Sequence, residues 1–536
     1  MVQLEPFLLT HFSVKEYYMI LKYYQITIIV IIQAIITTAA FSSPDDWPHF
    51  ANTPNCSSIA VDGPNTIDES TLQWVAWQDP AAPEYFIEFE ANSTPAVFGG
   101  KVYAYAKVFD SHNNYTNNQI ICFDSTTGQT LWNTIIDMPI FDSKSSPTID
   151  TKNQTVLIGS GRKVFALDCQ SGEILWTTRL EKTIVNASVC LALDIEPARA
   201  FITDYDGFGN SGKLYCINID PNESEQNPYN PGDIVWSDNI EGSSGNTPAY
   251  NDRVVYVASI TDPENFWSSG NPNPAGTIHA YDAQSTAAVK IWETKESRFE
   301  GFFGGVCVTR QGFLYAANYD FYSQQNNSAL CKIDCANGSI VWVTQTERTS
   351  SVPVVVGDKI YISGGIPGYG SRPKLQAYHD FGDTVEKQWE TSTDVAIAGW
   401  TYQPVCANGK LYVGAMSTVG DSFGAYSEFY ILDLTRQPGQ QNFIIDHYSG
   451  CGSSPAVTYD SIYTIGPDGL HKFYQPASIA NVNQDNSVDY LDLETFAGYW
   501  LWQGPAGMVR SDLNLDGIIN LIDFAIFARQ WEMKID

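Results

Sequence analysis

Basic side chains are scarce in this chain. Lys and Arg total 29 against 60 Asp and Glu, a formal net charge of -31, which argues against nucleic acid and anionic membrane surfaces as partners, because both are held through cationic side chains. Cations are the natural partners. Cysteine is thin as well: the 10 present include no CxxC, CxxCH or adjacent pair, which argues against a disulfide scaffold, haem attachment and a structural zinc site. Cys122, Cys190, Cys216, Cys307 and Cys406 fall at apolar strand positions, where the thiol acts as a small hydrophobe. His49, His112, His279, His379, His447 and His471 show neither metal spacing nor a triad cue. No apolar run reaches the roughly twenty residues of a membrane span. The longest, Ile26 to Ile36 interrupted by Thr27 and Gln33, follows Lys15 and Lys22 and precedes small residues up to Ala40. That pattern suits a signal peptide over residues 1–40, with an uncleaved anchor as the alternative and either Met1 or Met19 as the start. The expected location is the periplasm, cell envelope or extracellular space.

What the chain does have is repetition. Cys122-Phe123-Asp124 is followed by Gly128 and Trp132, and the same spacing returns at Ala166-Leu167-Asp168 with Gly172 and Trp176, and at Lys332-Ile333-Asp334 with Gly338 and Trp342. Cys216-Ile217-Asn218 carries an insertion before Gly232 and Trp236; looser copies end at Trp292 and Trp389, and one has Phe443 in place of Trp. Each copy reads as a hairpin in which an Asp opens the turn and a Gly takes the φ > 0 position. The fixed distance from turn to Trp predicts that every Trp enters a seam with a neighbouring unit.

A second signature alternates with the first. Thr94-Pro95-Ala96-Val97, Ser146-Pro147-Thr148-Ile149, Thr247-Pro248-Ala249-Tyr250, Val352-Pro353-Val354-Val355, Gln403-Pro404-Val405 and Ser454-Pro455-Ala456-Val457 each precede a short turn and an apolar strand, which is aromatic in all but the Ser146 copy. Two further copies near Ser188 and Gly305 lack the Pro. Eight units of four strands predict an all-β, eight-bladed propeller over residues 45–475, with seven blades as the main alternative. The last unit runs out after Tyr474 with no Trp strand, whereas Leu72 to Trp77 is such a strand without a unit. Joining the two closes the ring and removes its free edges.

The A-x-D-x-x-x-G-x-x-x-W hairpin at Ala166 to Trp176 resembles the pyrroloquinoline-quinone (PQQ)-type propeller repeat, and Asp46-Trp47-Pro48-His49-Phe50 is similar to the opening of secreted proteins of that class. The resemblance implies either a PQQ-dependent alcohol dehydrogenase or a cofactor-free scaffold such as the outer-membrane assembly lipoprotein. For a dehydrogenase it would imply a calcium-held quinone in the axial funnel, an Asp base and, in many cases, an adjacent disulfide. No adjacent cysteines exist, and Asp204, Asp206, Asp262 and Asp320, in loops after aromatic strands, carry no distinguishing motif. PQQ and catalytic residues are therefore not expected. Asn265-Phe266-Trp267 and Tyr319-Asp320-Phe321-Tyr322 could stack on sugars, although rim packing is the better account of them.

The pattern changes after Pro476. Asn481, Asn483, Asp485, Ser487, Asp489 and Asp492 stand at positions 1, 3, 5, 7, 9 and 12 of a loop, and Asp512, Asn514, Asp516, Ile518, Asn520 and Asp523 repeat it. Side-chain oxygens at 1, 3, 5, 9 and 12, with the carbonyl of position 7, are what a hard cation needs from one turn of chain. Each loop leads into an apolar-periodic helix, Leu491 to Trp500 and Leu521 to Trp531. The duplication over residues 478–533 resembles a type I dockerin, which implies two Ca²⁺ ions and a cohesin-like or other protein partner. Asn481 replaces the usual first Asp, and Tyr490-Leu491 and Leu521-Ile522 are bulky where small hydroxyl residues often meet cohesin. The expected function is an exported, non-catalytic propeller that presents a face to protein or polysaccharide and docks through its C-terminal module. The alternatives are a quinoprotein oxidoreductase and a component of polysaccharide degradation.

Overall fold

The computed structural model describes residues 45–531 apart from 77–85, 90–92, 113, 138–144, 207–208, 224, 243–244, 261–274, 301, 320–327, 367–371, 392–396, 416–427, 478–479, 484–487 and 489. The expected leader, Trp77, Asp262, Asp320, Asn265-Phe266-Trp267 and Asp320-Phe321-Tyr322 lie outside the described residues. Up to Tyr474 the described strands form eight sheets, each a blade of an eight-bladed propeller. In chain order the blades open with inner strands Ala96–Phe98, Thr148–Asp150, Cys190–Ala192, Ala249–Asn251, Phe302–Val308, Val354–Val356, Val405–Ala407 and Ala456–Val457. Phe86–Phe89 adds a further strand to the first blade, pairing with Lys101–Phe109.

The eighth blade is completed from the other end of the chain. Leu72–Ala76 pairs antiparallel with Gly469–Tyr474, placing Trp74 opposite Lys472. This is the closure that the orphan strand predicts. It also joins the eighth blade to the first, because Trp74 Nε1 and Lys472 Nζ both donate to the Ser125 carbonyl, at 3.1 and 2.7 Å.

The hairpins form as their sequence dictates. Asp168 Oδ1 accepts from the backbone N–H groups of Gln170 and Ser171 at 2.9 and 2.7 Å, and these donors hold its carboxyl below the ordinary range. Next to each hairpin the ladder slips by one residue, at Cys122/Phe123, Ala166/Leu167, Cys216/Ile217 and Lys332/Ile333. Such bulges turn a strand and re-aim its side chains. The Trp rings accordingly enter the seams between blades. Trp132 donates to the Cys169 carbonyl, Trp236 to Ser285 and Trp292 to Cys335.

Glycine is required under these rings for two reasons. Gly172 has φ +72°, and a Cβ there would meet the Trp132 ring at 2.5 Å. Strain and overpacking together predict that Gly172→Ala costs about 3 kcal/mol. Denaturant unfolding would measure it, and a loss under about 1 kcal/mol would show that the seam yields.

The Ser/Thr-Pro signature proves to be a belt around the channel. Thr94 N donates to Ser146 Oγ, Ser146 N to Ser188 Oγ and Ser188 N to Thr247 Oγ1, at 2.9, 2.9 and 3.0 Å. Across the ring, Val352 N donates to Gln403 Oε1 and Gln403 N to Ser454 Oγ, at 2.8 and 2.9 Å. Each hydroxyl or amide thus satisfies a buried backbone donor of the preceding blade, as burial requires.

Candidate functional site

Two arrangements stand out, a strap across one mouth of the channel and the C-terminal module seated on it. Residues 47–60 cross the ends of the inner strands. Trp47 exchanges backbone hydrogen bonds with Val97; the Pro48 carbonyl accepts from Ile149, Pro54 from Tyr250, Asn55 from Val308 and Ser58 from Cys406. Inner strands leave their channel-side N–H groups without a ladder partner, and isolated carbonyls from an irregular segment can meet them one by one. Pro suits this use because it offers a carbonyl and no N–H. Trp47 is fully buried and Ile59 nearly so. Beyond the Trp47-Pro48-His49-Phe50 opening, the sequence of this stretch carries nothing that marks a strap.

Beyond the strap, Asp62 joins three parts of the molecule. Its carboxylate pairs with Lys410 of the seventh blade at 3.0 Å and with Arg510 of the C-terminal module at 2.8 Å. Lys410 also donates to the Gly63 carbonyl and Asn65 Oδ1, and burial lowers its pKa despite the carboxylate. No local motif announces this cluster.

The module contains helices Tyr490–Gly498 and Leu521–Trp531. They meet through apolar residues of the two periodic segments: Phe496 lies 6.0 Å from Phe524 and 5.1 Å from Phe527 between ring centroids, with Leu493 alongside. The propeller contributes to the same apolar cluster through Val61 and Tyr459. Met508 rests on Gly357 and Gly507 on Ile59, so close that a Cβ on either glycine would meet the neighbour at 2.7 or 2.8 Å. A cavity of about 480 Å³ remains between the strap, the inner turns and the module, lined by Asn55, Tyr250, Asp252, Arg310, Pro505 and Asp516, among others.

Every predicted residue of the second loop is described. Asp523 Oδ1 accepts from Leu513 and Asn514 N–H, and its Oδ2 from Asn520 N–H, so position 12 ties the loop shut. Gly517 takes the sharp bend at φ +75° and donates to Asp512 Oδ2 at 2.9 Å. Asp516 and Asn514 bond each other, and Asn520 Nδ2 donates to the Ile518 carbonyl. Asp512 and Asp523 are fully buried. Asp512 Oδ1 has no hydrogen-bond partner among the described residues, and burial together with the nearby Asp523 carboxylate pushes its pKa up to about 7. An orphaned carboxylate oxygen beside a second buried carboxylate is what a bound cation would relieve, so the donor set fits one. Among the described residues no three His, Cys, Asp or Glu side chains form a ready metal cage; the loop relies on Asn amides and a carbonyl as well. In the first loop, Asn483 N–H donates to Asp492 Oδ1 at 3.0 Å, matching the second. Asp485, Ser487 and Asp489 lie outside the described residues, and Asn481 is half-buried.

Of the four funnel-loop carboxylates, Asp204 and Asp206 are described, and both are engaged. Asp204 accepts from Lys182 N, Lys213 N and Tyr215 Oη, while Asp206 pairs with Lys182 and Ser211. These two committed carboxylates and the ten free, non-adjacent cysteines offer no quinone clamp. One unforeseen array has the connectivity of a triad: Ser259 Oγ lies 2.9 Å from His279 Nε2, and His279 Nδ1 3.1 Å from Glu293 Oε2. Ser259 is fully buried inside its strand, so no substrate reaches it.

Comparison with known proteins decides the family. The family described as outer membrane protein assembly factor BamB matches residues 85–285 and 227–464. The chain belongs to this family. Among solved structures, it is similar to a europium-containing methanol dehydrogenase, at 11% identity and a TM-score of 0.52 over 80% of this chain and 89% of that one. A quinohemoprotein alcohol dehydrogenase from Comamonas testosteroni gives 10% identity and a TM-score of 0.50 over 91% and 96% of the two chains. BamB from Moraxella catarrhalis gives 17% identity and a TM-score of 0.47 over 73% and 96%. At these identities the two dehydrogenase structures establish the propeller fold alone. No curated protein matches the sequence.

Proposed function

We propose that this BamB-family propeller is an exported, non-catalytic binding protein. Its C-terminal module is a dockerin-like, calcium-dependent docking unit, and its propeller presents a face to protein or polysaccharide. The observation that carries the reading is the second loop, where Asp512 and Asp523 are buried together and Asp512 Oδ1 lacks a donor. Tyr490, Leu491 and Leu521, at matching places where each loop enters its helix, are 71, 53 and 49% exposed. They offer an apolar surface to a protein partner. The family's description as an outer membrane assembly factor supports an envelope location and a role in binding.

The test uses the full-length protein. Type I cohesin should be retained in millimolar calcium and released by chelation, and Asp512→Asn combined with Asp523→Asn should abolish retention. Equal retention with and without calcium would remove the docking reading. The oxidoreductase alternative is tested by incubation with PQQ and calcium, then alcohol-dependent dye reduction; stoichiometric uptake with turnover would replace the non-catalytic reading.

A further inference from the structure

The turn after the inner strand of the fifth blade, Thr309 to Gly312, carries the cation Arg310. Arg310 Nη1 lies 3.7 Å from Asp516 Oδ1. Its Cδ and Nη1 stand 3.2 and 3.3 Å from where a Cβ on Gly517 would be, so the guanidinium rests on the bend of the second loop. Asp516 also accepts from Asn514 Nδ2 and Ile518 N–H, at 3.0 and 2.7 Å. These are neutral donors. The loop holds three carboxylates, those of Asp512, Asp516 and Asp523, and Arg310 supplies the ion pair to them among the described residues.

We propose that Arg310 is a propeller-borne counter-cation that competes with calcium for the second loop and thereby couples its ion occupancy to docking of the module on the propeller. The inference rests on the calcium reading of the loop. Without the ion, the guanidinium offsets part of the carboxylate repulsion and favours the docked module. With the ion, Asp516 is shared and a divalent charge faces a guanidinium well within a Debye length of about 8 Å. The two cations therefore oppose each other. A side chain about half exposed feels a high dielectric, so the expected effect on calcium affinity is about fivefold. Linkage makes the effect reciprocal: calcium weakens the Arg310 contact by the same factor.

The experiment titrates calcium into the full-length protein by calorimetry after chelation, for the wild type, Arg310→Gln and Arg310→Lys. R310Q should bind about fivefold more tightly, and R310K should stay with the wild type. The gap should shrink in about 0.5 M salt, as screening of a charge effect demands. Independently of the metal, hydrogen exchange in chelator should be faster at Leu515 to Gly517 in R310Q than in the wild type. Affinities within twofold would overturn the proposal, as would an R310K that departs from the wild type as far as R310Q. If neither the wild type nor R310Q binds calcium at millimolar concentration, the calcium reading itself fails and the coupling with it. Binding with unchanged affinity refutes Arg310 alone.

Discussion

Removal of residues 45–76 will turn the monomer into an aggregating species. The deletion strips Leu72–Ala76 from the eighth blade and leaves Gly469–Tyr474 as an open edge, and open apolar edges pair with other chains. It also removes the strap carbonyls that satisfy Ile149, Tyr250, Val308 and Cys406 N–H, each buried loss costing about 1–3 kcal/mol. Burial of Trp47 and Ile67, both fully enclosed, disappears too, at roughly 1.5–3 kcal/mol for each large side chain. Summed against a typical stability of about 5–15 kcal/mol, the loss exceeds what the ring can spare. Size-exclusion chromatography with light scattering would detect it. A soluble monomer with an unaltered melting profile would refute both the closure and the strap. Trp47→Ala isolates the strap's share, with an expected loss of about 3–5 kcal/mol.

Calcium removal is expected to lower the stability of the C-terminal module's own fold while the propeller stays folded. A ligand that binds only the folded form adds RT ln(1 + [L]/Kd), about 2.7 kcal/mol at a hundredfold excess over Kd. Calorimetric scans of the full-length protein should therefore show a module transition that rises with calcium and collapses after chelation. The full chain is needed because Val61 and Tyr459 complete the module's apolar cluster. Asp512→Asn should abolish the calcium shift. The pH dependence has a definite sign. Asp512 is raised in the folded protein from 3.8 to about 7, so the ion-free fold keeps this group's full contribution below the unfolded value and loses it as pH rises through about 7. Calcium binds the deprotonated loop, so its apparent affinity should fall as pH drops below about 7, by at most about tenfold per unit. A calcium shift that is absent, or that grows on acidification, would sink the prediction.

Much of the architecture was legible because it is periodic. The Asp-turn-Gly-Trp spacing encodes a hairpin and a direction, and a local direction repeated seven times, with an orphan strand for the eighth unit, encodes a ring. The missing strand after Tyr474 and the surplus strand at Leu72 are a deficit and an excess of one pattern, so their union needed no coordinates. The second loop was legible for the same reason, since alternating oxygens on a single turn of chain are a local feature. Its matching hydrogen bonds in Asn483 and Asn514 follow from position within the loop.

The sequence by itself determined the propeller, its closure and the Trp seams, because each is written in spacings of a few residues. Only the tertiary structure decided that the segment after Trp47 straps the channel, that Ser146, Ser188, Thr247, Gln403 and Ser454 each serve the preceding blade, and that the C-terminal module sits on that strap. It alone brought Asp62 to Lys410 across 348 positions and set Arg310 beside Asp516. These contacts join single residues from distant segments with no shared period, and folding selects them by satisfying buried donors, charges and apolar faces left over once the repeats have formed.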